Sequence, residues 1–406
     1  MYWSPFLHFY QPPWQKKEIL ERVVKESYLP ILEILEKNKK AKITLNISAS
    51  LTELLVEYNF QEILARIKKL AENRQIELTG SAKYHPILPV LPKSEVIRQI
   101  KLNENLNQKY FKKVWRPRPK GFFLPELVYD KKTARIIESL GYQWLILDEI
   151  AYTGKIGKVN FEKRYLIKDL KLKVIFRNRG LSDIFYTGWL DSEEKFWRAF
   201  KNDNRSNNFL ITAFDGENLG HHKPGTERIF EILLKKIKTL TISELLKIYQ
   251  KQETIEPLTS SWSSREREMK EAITYPLWFH PQNKIHQLQW ALTKFIVKII
   301  GKNRKNANYK KARILLDKAL NSCQYWWASA TPWWSIEIIT EGAEKLVEVL
   351  KTLKNLDQKT IQFGKRLKEK IISVAQIWQN SSYVEKLKNA YLKDEPIRYF
   401  GGKIIK

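Results

Sequence analysis

The sequence predicts an α/β protein: an incomplete (β/α)7 barrel followed by a C-terminal helical bundle domain. Three observations carry that expectation. Short apolar runs alternate with amphipathic stretches over roughly the first 265 residues, the pattern of a parallel sheet with helices outside it. Polar and charged residues gather just after those runs, where the loops of a barrel carry its chemistry. Beyond about residue 265 the strand-like runs stop and long amphipathic segments replace them.

Taken in order, Tyr2–His8 is a short aromatic strand and Lys16–Lys37 a helix. Lys42–Ile47 (KITLNI) is the second strand, after which Ser50 and Glu53 stand at the spacing of a capping box that would open the next helix. Gln75–Thr79 is the third strand, followed by a helix over Glu95–Lys113; Lys120–Leu124 is the fourth, followed by a helix over Lys131–Leu140. Gln143–Leu147, Lys173–Arg177 and Asn208–Ala213 complete the seven. The residues that follow the strand ends are His8 and Gln11, Asn46, His85, Glu126, Asp148 with Glu149, Arg177 with Arg179, and Asp215 with Glu217. In the second half, helices are expected over Lys284–Ile300, Tyr309–Ala330, Pro332–Leu353 and Thr360–Gln379, with Thr331 and Pro332 as an N-cap and first-turn pair. The expected division is a catalytic barrel over 1–265 and a helical domain over 266–406, with one polar linker-like patch at Asn202–Asn208.

Composition narrows the function classes. At 406 residues with 43% hydrophobic and 29% charged residues, the chain can bury a large core. The formal net charge of +28 invites a nucleic-acid reading, but the basic residues alternate with glutamate along helical stretches such as ARIKKLAENR and KTLKNLDQK. That is the pattern of solvated helix faces, and no nucleic-acid motif accompanies it. No run approaches the roughly 20 apolar residues of a membrane span. The single cysteine, Cys323, fits a reducing compartment. With no basic-then-apolar leader at the start, the expected location is the cytoplasm. No G-x-G-x-x-G follows a strand, so a dinucleotide enzyme is not expected.

Two carboxyl groups sit at strand mouths: Glu126 in GFFLPELVYD and Asp215 in AFDGENLGHH. Glycosidic-bond chemistry requires such a pair, one to protonate the leaving oxygen and one to attack or stabilise the anomeric carbon. Either alone is equally a helix-start carboxylate. The chain also holds 14 tryptophans. Among them Trp14, Trp115, Trp262 and Trp278 lie in or beside motif loops, where an indole face could stack on a sugar ring.

Five stretches resemble, in order, those of glycoside hydrolase family 57: HFYQPP (8–13), IELTGSAKYHPIL (76–88), GFFLPE (121–126), FDGEN (214–218) and, more loosely, SSWSSRE (260–266) with Trp278 and Asn283. Tyr10 stands where that family often has a second histidine. The family includes α-amylases, 4-α-glucanotransferases and amylopullulanases. The resemblance implies a (β/α)7 barrel whose cleft is lined by a helical domain, a retaining mechanism on α-linked glucans or maltooligosaccharides, Glu126 as nucleophile and Asp215 as acid/base. Within that reading His8, Gln11, Trp14, His85, Asp148, Arg177, Glu217, His221, Trp262 and Trp278 are substrate-binding candidates. No metal or organic cofactor is expected. The alternatives are a metal-dependent carbohydrate deacetylase or mannosidase on a related barrel, which the adjacent His221 and His222 serve poorly, and a non-catalytic glucan-binding protein.

Overall fold

Strand β1 (Tyr2–Phe9) is apolar or aromatic at nearly every position and buried over seven of its eight residues, as a strand flanked on both edges and covered on both faces must be. In this computed structural model, which describes residues 1–116, 118–203, 205, 208–394, 399–400 and 403–404, β1 pairs in parallel with β2 (Ile43–Ile47) and β8 (Phe209–Asp215). Strand β3 (Ile76–Thr79) extends that sheet beyond β2. A second sheet joins β4 (Gly121–Phe122), β5 (Trp144–Asp148) and β7 (Lys173–Arg177) in parallel.

Two seams connect the sheets. At the first, Gly80 N donates to Gly121 O and Phe123 N to Gly80 O, both at 2.9 Å. Gly121 is required there: a Cβ would lie 2.0 Å from the Trp144 ring. At the second, Asn178 N donates to Ile211 O at 2.8 Å, just past the end of β7. The start of that edge of β7 is taken by β6 (Lys163–Ile167), which runs antiparallel to it. The seven expected strands therefore form a parallel ring that is split between β7 and β8, an incomplete barrel.

Helices cover the ring from outside, Leu29–Lys37 and Gln61–Glu72 among them. Leu32, Leu35, Ile63, Ile67 and Phe230 fill the layer between helices and strands.

Strands that escape the sequence reading include β6, β9 (Lys238–Thr239) beside β1, and β10 (Lys251–Ile255) beside β6. β10 reads KQETI and is exposed at three of five positions, so it lacks the apolar run that marks a buried strand. The capping box is a correction. Ser48, not Ser50, caps the helix Ala49–Glu57 through Leu51 N, while Ser50 Oγ donates to the Gln11 carbonyl and Glu53 pairs with Lys83.

The chain divides into two compact units. The first contains Met1–Lys83 and Leu88–Glu266; the second contains Tyr84–Ile87 and the chain from Arg267 through the helix Tyr383–Asp394. The second is helical: Lys284–Lys302, Tyr309–Ala319, Cys323–Trp326, Ile336–Thr352, Gln358–Asn380 and Tyr383–Asp394. Asn283, Ser335 and Asp357 cap three of these with their side chains. The expected helix Tyr309–Ala330 breaks after Ala319, where Asn321 Oδ1 accepts from Cys323 N at 3.1 Å. The next long helix starts at Ile336 with Ser335 as its cap, so the Thr331–Pro332 start is a second correction. The polar patch at 202–208 includes positions 204, 206 and 207, which lie outside the described residues. No helix among the described residues is long and apolar enough to cross a membrane.

Candidate functional site

A parallel ladder sets residues of equal register side by side, with neighbouring strands about 4.8 Å apart. At the C-terminal end of the ring this aligns Asp215 of β8 with His8 of β1, His8 with Asn46 of β2, and Asn46 with Thr79 of β3. Asn46 Nδ2 donates to Thr79 Oγ1 at 3.1 Å and to the Gly80 carbonyl at 3.4 Å, and Asn46 Oδ1 lies 2.8 Å from His8 Nδ1. A carbonyl only accepts, so the Asn46 amide must turn its nitrogen to Gly80 and its oxygen to His8. His8 Nδ1 therefore carries the ring proton. Burial pushes the His8 pKa down to about 3, leaving a neutral imidazole whose Nε2 is an acceptor. Phe123 stacks on that ring at 4.3 Å.

Glu126 follows β4 in a single tight turn, Pro125–Leu127. Its backbone is left-handed, with φ 57° and ψ 18°. For a residue with a side chain this costs about 1–3 kcal/mol and persists only where the surroundings enforce it. Here Trp262 enforces it twice: its backbone N donates to Glu126 O at 3.3 Å and its Nε1 to Glu126 Oε2 at 3.0 Å. The Trp262 ring meets Phe123 edge-on at 6.1 Å, and the Arg177 guanidinium lies 5.6 Å from its centroid. Trp262, expected as a sugar platform, is half-buried and also donates to the Glu126 carboxylate.

Asp215 ends β8 and is half-buried. Burial pushes its pKa up to about 6, against the pull of the Arg177 charge, and no hydrogen bond contributes to the shift. Two residues on, Glu217 is buried and raised to about 8, first by burial and then by the negative charge of Asp215. Its Oε1 accepts from Gln11 Nε2 at 3.0 Å and from the Tyr28 hydroxyl. Gln11 Oε1 in turn accepts from Gln15 Nε2. Gln11 was expected to face substrate; both ends of its amide are engaged inside the protein.

Asp148 and Arg177, also expected on the rim, are partners in a buried ion cluster. Arg177 Nε donates to Asp148 Oδ2 at 2.6 Å, Arg179 Nη2 to Asp148 Oδ1 at 2.6 Å, and Arg177 Nη1 lies 3.0 Å from Asp183 Oδ1. Burial pushes the Asp148 carboxyl up, and the Arg179 and Arg177 guanidiniums more than reverse it. Both Asp148 oxygens are thus bonded by the two arginines.

The other candidates separate. His221 Nδ1 is held by Glu26 Oε2 at 2.5 Å. Next to it Gly220 takes φ +94°, and a Cβ there would lie 2.0 Å from the Glu26 carbonyl oxygen. Gly220→Ala is therefore expected to destabilise the fold by about 2 kcal/mol, read as a lower urea midpoint at unchanged slope. Trp14 is half-buried in the loop after β1. His85 belongs to the second unit, where its Nδ1 lies 3.2 Å from Ser322 Oγ. Trp278 is fully buried, its carbonyl accepting from Trp290 Nε1 at 2.8 Å, so it presents no face to a sugar. Trp115 is likewise buried, stacked on Phe111. Among the described residues no group of three or more His, Cys, Asp or Glu could hold a metal ion. Tyr28, which the sequence reading missed, looks like one more core position of an amphipathic helix; only its contact with Glu217 reveals it.

Comparison with known proteins follows from this geometry. The family described as Glycosyl hydrolase family 57 matches residues 5–260. "Alpha-amylase 1" of Dictyoglomus thermophilum is 26% identical over 289 residues, covering 68% of this chain and 41% of that protein. The 4-alpha-glucanotransferase of Thermococcus litoralis is 26% identical over 143 residues, covering 35% of this chain and 21% of that protein. The chain thus spans less than half the length of these curated relatives. Among solved structures, a GH57-type branching enzyme from Pyrococcus horikoshii superposes with a TM-score of 0.68 at 15% identity, covering 91% of this chain and 94% of that one. The crystal structure of the Thermococcus litoralis 4-alpha-glucanotransferase gives 0.64 at 18% identity, covering 87% and 59%.

Proposed function

The chain belongs to glycosyl hydrolase family 57, and on that premise we propose that it is a retaining enzyme of α-linked glucans, with Glu126 as nucleophile and Asp215 as general acid/base. One observation carries the assignment: the contrast between the two strand-end carboxyls. Glu126 is held in a strained backbone by Trp262, which donates to one carboxylate oxygen, as suits a nucleophile that must stay ionised and aimed. Asp215 is raised to about 6, and among the described residues no hydrogen bond contributes to that shift, as suits a group that must give a proton and take one back.

In the first step Asp215 protonates the glycosidic oxygen while Glu126 attacks the anomeric carbon, and the C–O bond to the leaving sugar breaks. In the second, Asp215 removes a proton from water or a sugar hydroxyl, whose oxygen displaces Glu126. The choice of α-glucans is supported by relatives named alpha-amylase and 4-alpha-glucanotransferase. The family match favours this reading over the metal-dependent one.

Intact-protein mass spectrometry after incubation with α-glucosyl fluoride tests the proposal. The parent protein is expected to gain one covalent glucosyl unit and Glu126→Ala none. Product analysis on maltooligosaccharides then separates hydrolysis, which shortens chains, from transfer, which also lengthens them. Absence of both adduct and turnover across several α-linked donors would reject the substrate class.

A further inference from the structure

The helix between β1 and β2 is not regular. Helix Lys17–Val23 passes into a π-helical turn, Val24–Tyr28, before the α-helix Leu29–Lys37 resumes. Such single wide turns insert a residue into the helical register and re-aim its neighbours. Three consecutive residues of this turn face the loop that follows Asp215. Glu26 Oε2 holds His221 Nδ1. Ser27 Oγ donates to the Gly216 carbonyl at 2.8 Å. The Tyr28 hydroxyl donates to Glu217 Oε1. Consecutive residues of an α-helix point about 100° apart, so a regular helix would not bring all three to one short loop.

We propose that Tyr28 is a positioning residue for the acid/base, fixing the side chain of Glu217 two residues beyond Asp215. The inference rests on Asp215 having the role given above. Tyr28 is fully buried and stacks on Phe9 at 4.3 Å and 24°, so its ring has one orientation. Burial keeps its hydroxyl protonated far above ordinary working pH, so it is always the donor. Glu217 Oε1 receives both that hydroxyl and Gln11 Nε2. The proton of the neutral Glu217 carboxyl accordingly resides on Oε2. Asp215 thus titrates beside an uncharged, fixed carboxyl rather than a second anion. Without the Tyr28 hydroxyl, Glu217 loses the rigid one of the two side-chain donors to its Oε1 and keeps the Gln11 amide.

A double-mutant cycle tests this, with kcat and KM measured separately on maltooligosaccharides for the parent, Tyr28→Phe, Glu217→Ala and the double variant. Phenylalanine retains the stack on Phe9, and a thermal melt checks that each variant is folded at the assay temperature. Tyr28→Phe is expected to lower kcat about tenfold with KM within about twofold of the parent. In the Glu217→Ala background the same change is expected to have almost no effect, because the group it acts through is gone. An unchanged kcat in Tyr28→Phe overturns the assignment. So does an equal loss in both backgrounds, which marks a purely structural role. If the parent shows neither adduct nor turnover across several α-linked donors, the functional reading itself has failed; if it turns over maltooligosaccharides but the cycle shows no coupling, only the role of Tyr28 has.

Discussion

Asp215→Asn is expected to lower turnover of maltooligosaccharides by roughly 10²–10⁴-fold, the usual worth of a positioned general acid/base. The loss should depend on the leaving group. A sugar leaves as an alkoxide unless it is protonated, so glycosyl transfer from an oligosaccharide needs Asp215, whereas fluoride leaves without help. With α-glucosyl fluoride the variant should still load Glu126 but fail to activate water for the second step, so the glucosyl-enzyme accumulates. Azide, which attacks without a base, should restore turnover of that intermediate.

The pH profile supplies an independent check with a definite sign. Under the proposed assignment the acid form of Asp215 is the working form, and burial places its pKa at about 6. In the parent, kcat/KM should therefore fall as pH rises through about 6, and in Asp215→Asn that limb should disappear. A limb near 6 that survives the substitution would move the acid role to another group.

Much of this could be read before the fold was known, because barrel strands announce themselves. The seven ring strands are buried on both faces and read as apolar runs, and Glu126 follows one of them while Asp215 ends another. Strands that escaped notice are polar: β10 is the edge strand of the second sheet, where no run is needed, and β6 beside it opens on Lys163 and Arg164. The finer detail of the site was not legible for one reason. Sequence shows which residues stand at a strand end but not what they touch. Gln11, Asp148 and Arg177 occupy the rim as expected, yet their polar atoms are taken up by Glu217, by Arg179 and by each other. Tyr28 was hidden for the opposite reason: its importance depends on an irregular turn inside a stretch that looks uniformly helical.

The largest stability effect is expected at Asp148. Its carboxyl is 1% exposed and bonded by both arginines and by Ile150 N. Removing one member of a buried charge cluster leaves the others without compensation, which costs about 3–5 kcal/mol. Arg177 would retain Asp183, whereas among the described residues the Arg179 guanidinium would keep the Ser264 carbonyl, so most of the loss falls on Arg179. Asp148→Ala should accordingly lower the free energy of unfolding by that amount at pH 7. The pH dependence follows from the direction of the shift. The Asp148 carboxyl is held below its ordinary range in the folded protein, so its contribution is present above the unfolded pKa of about 4 and is lost as pH falls through the folded value. The gap between parent and variant should be constant from pH 7 down to about 5 and narrow only below about 4. Asp148→Asn, which keeps the shape but not the charge, should lose most of the same stability; a full rescue by asparagine would show that hydrogen bonds rather than charge hold the cluster. A second readout connects this cluster to the chemistry. The Arg177 charge already pulls the Asp215 pKa down against burial. Neutralising Asp148 strips Arg177 of a counter-charge and strengthens that pull. The basic limb of kcat/KM in the folded variant should therefore move below pH 6, not above it.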